Sequence, residues 1–113
     1  MRAGRLRGGF FEWACFICQQ SAEKALKAVY QGLGGEARGH SVLNLLEGLR
    51  ERVEVDEGLF ECARSLDRFY IPTRYPNSWG GGSPKDFYTR EDAERGLRCA
   101  ETILRFCEDH LAG

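Results

Sequence analysis

Between Phe11 and Leu33 the apolar residues return every three or four positions: Phe11, Ala14, Cys15, Cys18, Ala22, Ala25, Leu26, Val29 and Leu33. That period places them on one stripe of an amphipathic helix, whereas a half-buried strand would alternate strictly. The spacing predicts a helix from about Phe10 to Leu33, with Lys24 and Lys27 toward its other side and Gly32, Gly34 and Gly35 as a stop. Three further segments repeat the period, and none alternates. A short helix follows Ser41 as N-cap and carries Val42, Leu43, Leu45, Leu46 and Leu49. A third follows Asp56 and carries Leu59, Phe60, Ala63 and Leu66, reaching toward Tyr70 before Pro72 forces the chain out of helical geometry. The last opens at Thr89, with Asp92 three residues on as a shortened capping box, and keeps its period to Leu111.

This patterning predicts an all-α fold, an antiparallel up-and-down helical bundle of four to five helices in one domain spanning residues 1–113. The composition agrees, since 42% hydrophobic and 29% charged residues are ordinary for a globular chain. Sixteen basic and seventeen acidic residues leave a net charge of -1. No overall basic field therefore favours nucleic acid, and a nucleic-acid role would need a local patch. No apolar run approaches the roughly 20 residues of a membrane span. With no secretion signal in view, the expected location is cytoplasmic, and the five cysteines are expected to be reduced.

Residues 71–88 break the helical pattern. Three prolines, three consecutive glycines and two serines exclude continuous regular structure there. A connection this long inside a compact domain is usually functional or disordered, and its tyrosines, tryptophan and arginine favour function. Gly80-Gly81-Gly82 lacks the spacing of a phosphate-binding loop; it reads as slack that lets Trp79 and Phe87 reach a partner.

Several segments carry a family resemblance. WACFICQQSAEKALKAV (Trp13 to Val29), GHSVLNLL (Gly39 to Leu46), LDRFYIPTRYPN (Leu66 to Asn77) and YTREDAE (Tyr88 to Glu94) resemble the HEPN domain in order and spacing, over roughly residues 11–111. The resemblance implies a helical bundle, usually dimeric, found beside or fused to minimal nucleotidyltransferases. Members are proposed to bind nucleotides, and some relatives are ribonucleases. Two departures stand out. The long first helix of the family is expected to be cut short, because Met1–Gly9 is rich in glycine and arginine and reads as a poor helix. Ribonuclease relatives also pair an arginine with a histidine, four to six residues lying between them, and no histidine follows Arg74 at that place. The pair Arg105 and His110 has that spacing but lies in the last turns of the final helix, where a solvated helix face is the plainer reading.

The expected ligand-binding residues are Arg74, Tyr75, Tyr70, Thr73, His40 and Lys24. A guanidinium offers a rigid fork of donors for phosphate or carboxylate, and neighbouring phenol rings can stack a base. The competing structural reading has Arg74 capping helix three or pairing with Asp67 or Glu94. For His40, which has no carboxylate at local spacing, it is a turn or interface role. Cys15 and Cys18 fall on the apolar stripe and are read as small buried hydrophobes, with no metal and no cofactor expected. The sequence therefore points to a binding and assembly module more than to an enzyme. It would be a homodimer that recognises a nucleotide, RNA or other anionic ligand, and it would partner a minimal nucleotidyltransferase in a toxin–antitoxin arrangement. The alternatives are a metal-independent endoribonuclease and an oligomerisation scaffold.

Overall fold

The computed structural model describes residues 3–70 and 88–112, with side chains from Phe10 to Leu111. Four helices make up this part of the chain: α1 (Ala3–Gly32), α2 (Val42–Leu49), α3 (Glu57–Asp67) and α4 (Arg90–Ala112). The all-α bundle is the one the spacing predicts, and each later helix starts at its expected cap. Ser41 accepts from the Asn44 amide at 3.1 Å and Asp56 from the Gly58 amide at 3.0 Å. Thr89 and Asp92 close a reciprocal box, with amide-to-side-chain bonds of 3.0 and 3.1 Å. Each cap satisfies amides that the first helical turn leaves without carbonyl partners.

Two boundaries differ from the sequence reading. α1 begins at Ala3, seven residues before the expected start, so helix precedes Trp13 after all. Glycines at 4, 8 and 9 weaken this stretch, but extending an existing helix costs far less than nucleating one. α3 ends at Asp67, and Phe69 rather than Tyr70 turns into the core, 3% exposed.

Pairings between helices fix the topology. Arg90 lies over the Phe11 ring, Cys18 lies beside Gly96, and Leu111 lies beside Gly32, so α4 runs in the same sense as α1. α3 runs against both neighbours: Phe69 meets Gly96 and Tyr88, Cys62 lies beside Cys99, and Asp67 reaches the start of α2. Residues 33–41 double back along α1, so α2 sets out from the level of Gln19, ends near Tyr30 and runs with α1; the strict up-and-down order expected from sequence is replaced by three helices in one sense, with α3 against them. The core between the helices is aliphatic, with Leu26, Leu46, Leu49, Leu66 and Ile103 almost fully buried. Each such side chain contributes about 1.5–3 kcal/mol by leaving water. Cys15, Cys18 and Cys107 are buried and free, as the sequence reading expects of the first two. Burial pushes all three thiols up, those of Cys15 and Cys107 to about 12, so none is a ready nucleophile. Phe69 and Tyr88 meet edge-to-face at 5.7 Å, on either side of the 71–87 stretch. Arg74, Tyr75 and Thr73 lie outside the described residues. No helix among the described residues is long and apolar enough to cross a membrane.

One close approach depends on a missing side chain. The Tyr30 hydroxyl donates to the Leu45 carbonyl at 2.7 Å, and a Cβ at Gly48 would land on that hydroxyl. Gly48→Ala should therefore destabilise the protein by about 1–3 kcal/mol, although alanine favours a helix. In a Tyr30→Phe background the same substitution should cost much less. Denaturant midpoints of the four proteins provide the check.

Candidate functional site

Two carboxylates on different helices hold the turn that leads into α2. Glu23 sits on the inner side of α1, 7% exposed. Its Oε2 accepts from Lys27 Nζ at 3.0 Å, one turn along the same helix, and lies 3.0 Å from His40 Nδ1. Gln19, fully buried one turn earlier, donates from Nε2 to the His40 carbonyl at 2.7 Å and more weakly to Glu23 Oε1 at 3.5 Å. The second carboxylate, Asp67, closes α3. Its two oxygens accept from the Val42 amide at 2.7 Å, the Ser41 hydroxyl at 2.8 Å and the Leu43 amide at 3.2 Å. An anion at this point also complements the positive end of the α2 dipole. Gly39 makes the turn possible, with φ of +92° in the region that favours glycine.

His40 projects from this frame with its side chain 57% exposed. The Tyr70 ring stacks on it, centroids 4.8 Å apart and planes 15° from parallel. Of the six residues expected to bind a ligand, the structure brings together His40 and Tyr70. Lys24 is exposed on α1, while Lys27 is the lysine that enters the cluster. Arg74, Tyr75 and Thr73 are not among the described residues.

Glu23, Gln19 and Asp67 escaped the sequence reading as members of this site. His40 and its carboxylate are 17 residues apart, a pairing that only the doubled-back connection creates. The available signal was a glutamine and a glutamate at i and i+4 on the buried stripe, where polar side chains need partners.

Arg105 and His110 do not form a comparable pair. Arg105 is exposed, His110 Nδ1 lies 2.9 Å from the Phe106 carbonyl and its ring packs on Phe106. A five-residue step on an α-helix turns them about 140° apart.

Burial pushes the Glu23 carboxyl up, but the hydrogen bonds from Lys27 and His40 and their charges outweigh it, leaving it below the ordinary value. It is therefore ionised at neutral pH and can only accept.

A small α-bundle with a polar knot at the start of its second helix is the class of protein defined so far. The sequence profile of the HEPN domain matches residues 4–110, and the chain belongs to the HEPN family. A Methanocaldococcus jannaschii protein named "Putative toxin MJ1304" is 31% identical over 115 residues, which are 94% of this chain and 76% of that protein. Among solved structures, TT1696 from Thermus thermophilus is 48% identical with a TM-score of 0.80, over 89% of this chain and 80% of that one. A HEPN domain protein from Thermotoga maritima is 45% identical with a TM-score of 0.73, over 95% and 84%. ST0689, an archaeal HEPN homologue, is 38% identical with a TM-score of 0.74, over 96% and 85%.

The direction of the Glu23 shift predicts a pH dependence. A carboxyl that binds its proton less readily when folded contributes stability that is complete above its ordinary value of 4.5 and is lost as pH falls through its folded value. Wild type should weaken across that acidic window. Glu23→Gln should be less stable at pH 7 but lose less on acidification, as denaturant titrations at pH 7, 5 and 3.5 would record.

Proposed function

We propose that this chain is the HEPN member of a toxin–antitoxin-type pair, a cytoplasmic homodimer that binds a nucleotide and partners a minimal nucleotidyltransferase. The observation that carries the binding half is the His40–Tyr70 stack, held at the surface by a buried carboxylate and a buried amide. Ordering of this kind lowers the entropy cost of binding. Arg74, four residues beyond Tyr70 in sequence, is assigned to the phosphates, where its planar fork of donors can bind bidentately. The toxin–antitoxin half draws on family membership and on the name of the Methanocaldococcus relative.

Dimerisation draws on an exposed apolar face. Phe10, Trp13 and Ile17 recur at helical spacing on the outer side of α1, 55%, 60% and 41% exposed. Leu97, Leu104 and Leu111 repeat every seven residues along α4, at 55%, 40% and 49%. α1 and α4 thus each carry an exposed apolar row, and such patches mark interfaces. The endoribonuclease reading is weaker, because Arg105 and His110 point to different sides of α4.

Two outcomes test the proposal. Wild type should sediment as a dimer at micromolar concentration, and Trp13→Glu with Leu104→Glu should sediment as a folded monomer; a monomeric wild type would end the dimer reading. Arg74→Ala should weaken ATP binding, measured by calorimetry, by about 1.5–3 kcal/mol with an unchanged melting temperature, and Arg74→Lys should rescue it only in part. Metal-free RNA cleavage by wild type that disappears in His110→Ala would replace this proposal with the nuclease.

A further inference from the structure

The hydrogen-bond bookkeeping around His40 specifies what kind of ligand group the site takes. Glu23 is ionised at neutral pH, so its oxygens only accept, and the ring nitrogen 3.0 Å away must bring the proton. That nitrogen is Nδ1. In the neutral imidazole the proton is then absent from Nε2, which is left as an acceptor on a ring whose side chain is 57% exposed. The same reasoning fixes the Gln19 amide. Both partners of its nitrogen, the His40 carbonyl and Glu23, are acceptors, so the NH2 end must face them. Its Oε1 is buried and has no partner among the described residues. Lys27 already donates to Glu23. The cluster is thus short of donors: Gln19 Oε1 is unmet among the described residues, and the neutral ring offers Nε2 as a further acceptor.

We infer that His40 Nε2 serves as a hydrogen-bond acceptor for the nucleoside part of a ligand, taking a neutral hydroxyl or amino donor while Tyr70 covers one face of the ring. The assignment rests on the proposed nucleotide reading and deepens it by dividing the site: phosphate goes elsewhere, and this corner reads the nucleoside. A fully ionised phosphate brings only acceptors and would face a lone pair on Nε2. A ribose hydroxyl or an exocyclic amino group meets both demands. A positioned buried carboxylate that fixes one tautomer is how proteins commit an imidazole to one role. Among the charged groups near the ring, Glu23 and Lys27 on α1 neutralise each other, and Asp67 at the end of α3 is occupied by the start of α2.

The test uses the full chain labelled with nitrogen-15. The sequence has two histidines, so a His110→Gln variant leaves one imidazole to observe. Recorded above the midpoint of its own titration, the His40 spectrum should show a protonated Nδ1 and a bare Nε2. Adenosine should then shift the Nε2 resonance, and inorganic pyrophosphate should not. Adenine and ribose added separately cover the two donor sources, and a shift with either supports the assignment. His40→Ala should weaken adenosine binding about tenfold and leave pyrophosphate binding unchanged. A proton found on Nε2 would overturn the inference while leaving nucleotide binding by Arg74 intact. If Nε2 is bare but pyrophosphate perturbs it as strongly as adenosine, the division of the site is wrong. If Nε2 is bare and neither ATP nor adenosine binds, the ligand assignment falls together with the proposed function.

Discussion

A carboxylate drawn out of water in a helical bundle is tolerable only when charge and hydrogen bonds replace its hydration. Glu23 meets that condition through Lys27 on its own helix and His40 on the next segment. The first partner is local and would exist in an isolated helix. The second is not. It requires residues 33–41 to turn back along α1 and deliver His40 beside the carboxylate, so the burial of Glu23 and the path of the connection are one constraint. Gln19 adds a bond to the His40 carbonyl from the other side, which fixes the backbone as well as the ring.

Once His40 is placed, the start of α2 is placed with it. Ser41 follows directly, and its hydroxyl both accepts from Asn44 and donates to Asp67. The end of α3 thereby caps the beginning of α2, two helices that run against each other and share the core through Leu46, Leu49 and Leu66. An eight-residue helix is too short to persist alone. This one persists because its amides are satisfied at one end and its apolar face is buried beneath. The polar knot and the aliphatic core are therefore cooperative: each orients the groups the other needs.

The helices were legible because their signals are local. Periodicity, the three caps and the buried Cys15 and Cys18 all depend on residues within a few positions of one another. What escaped notice was tertiary. Nothing near His40 in sequence announces Glu23, and Asp67 was considered only as a partner for Arg74, not for the amides of Val42 and Leu43. The short first helix was misjudged for a related reason, since glycine content measures intrinsic propensity and not the ease of extending an established helix. Phe69 and Tyr70 could not be sorted by pattern, because the helical period ends at Asp67. The family resemblance supplied the bundle but not the hydrogen bonds within it.

The edge-to-face contact between Phe69 and Tyr88 has a bearing on how such chains can diverge. It brings both ends of the 71–87 stretch together on the bundle, and the Tyr88 hydroxyl adds a long bond of 3.4 Å to the Arg68 carbonyl. With the ends clasped, a change of length between them costs little: doubling the number of residues between two fixed points adds only about 0.6 kcal/mol. Insertions, deletions and exchanges of the seventeen intervening residues can accumulate without disturbing α3 or α4. The clasp makes this part of the chain a cassette, whose residues can be exchanged by evolution or by grafting while the four helices keep their stability.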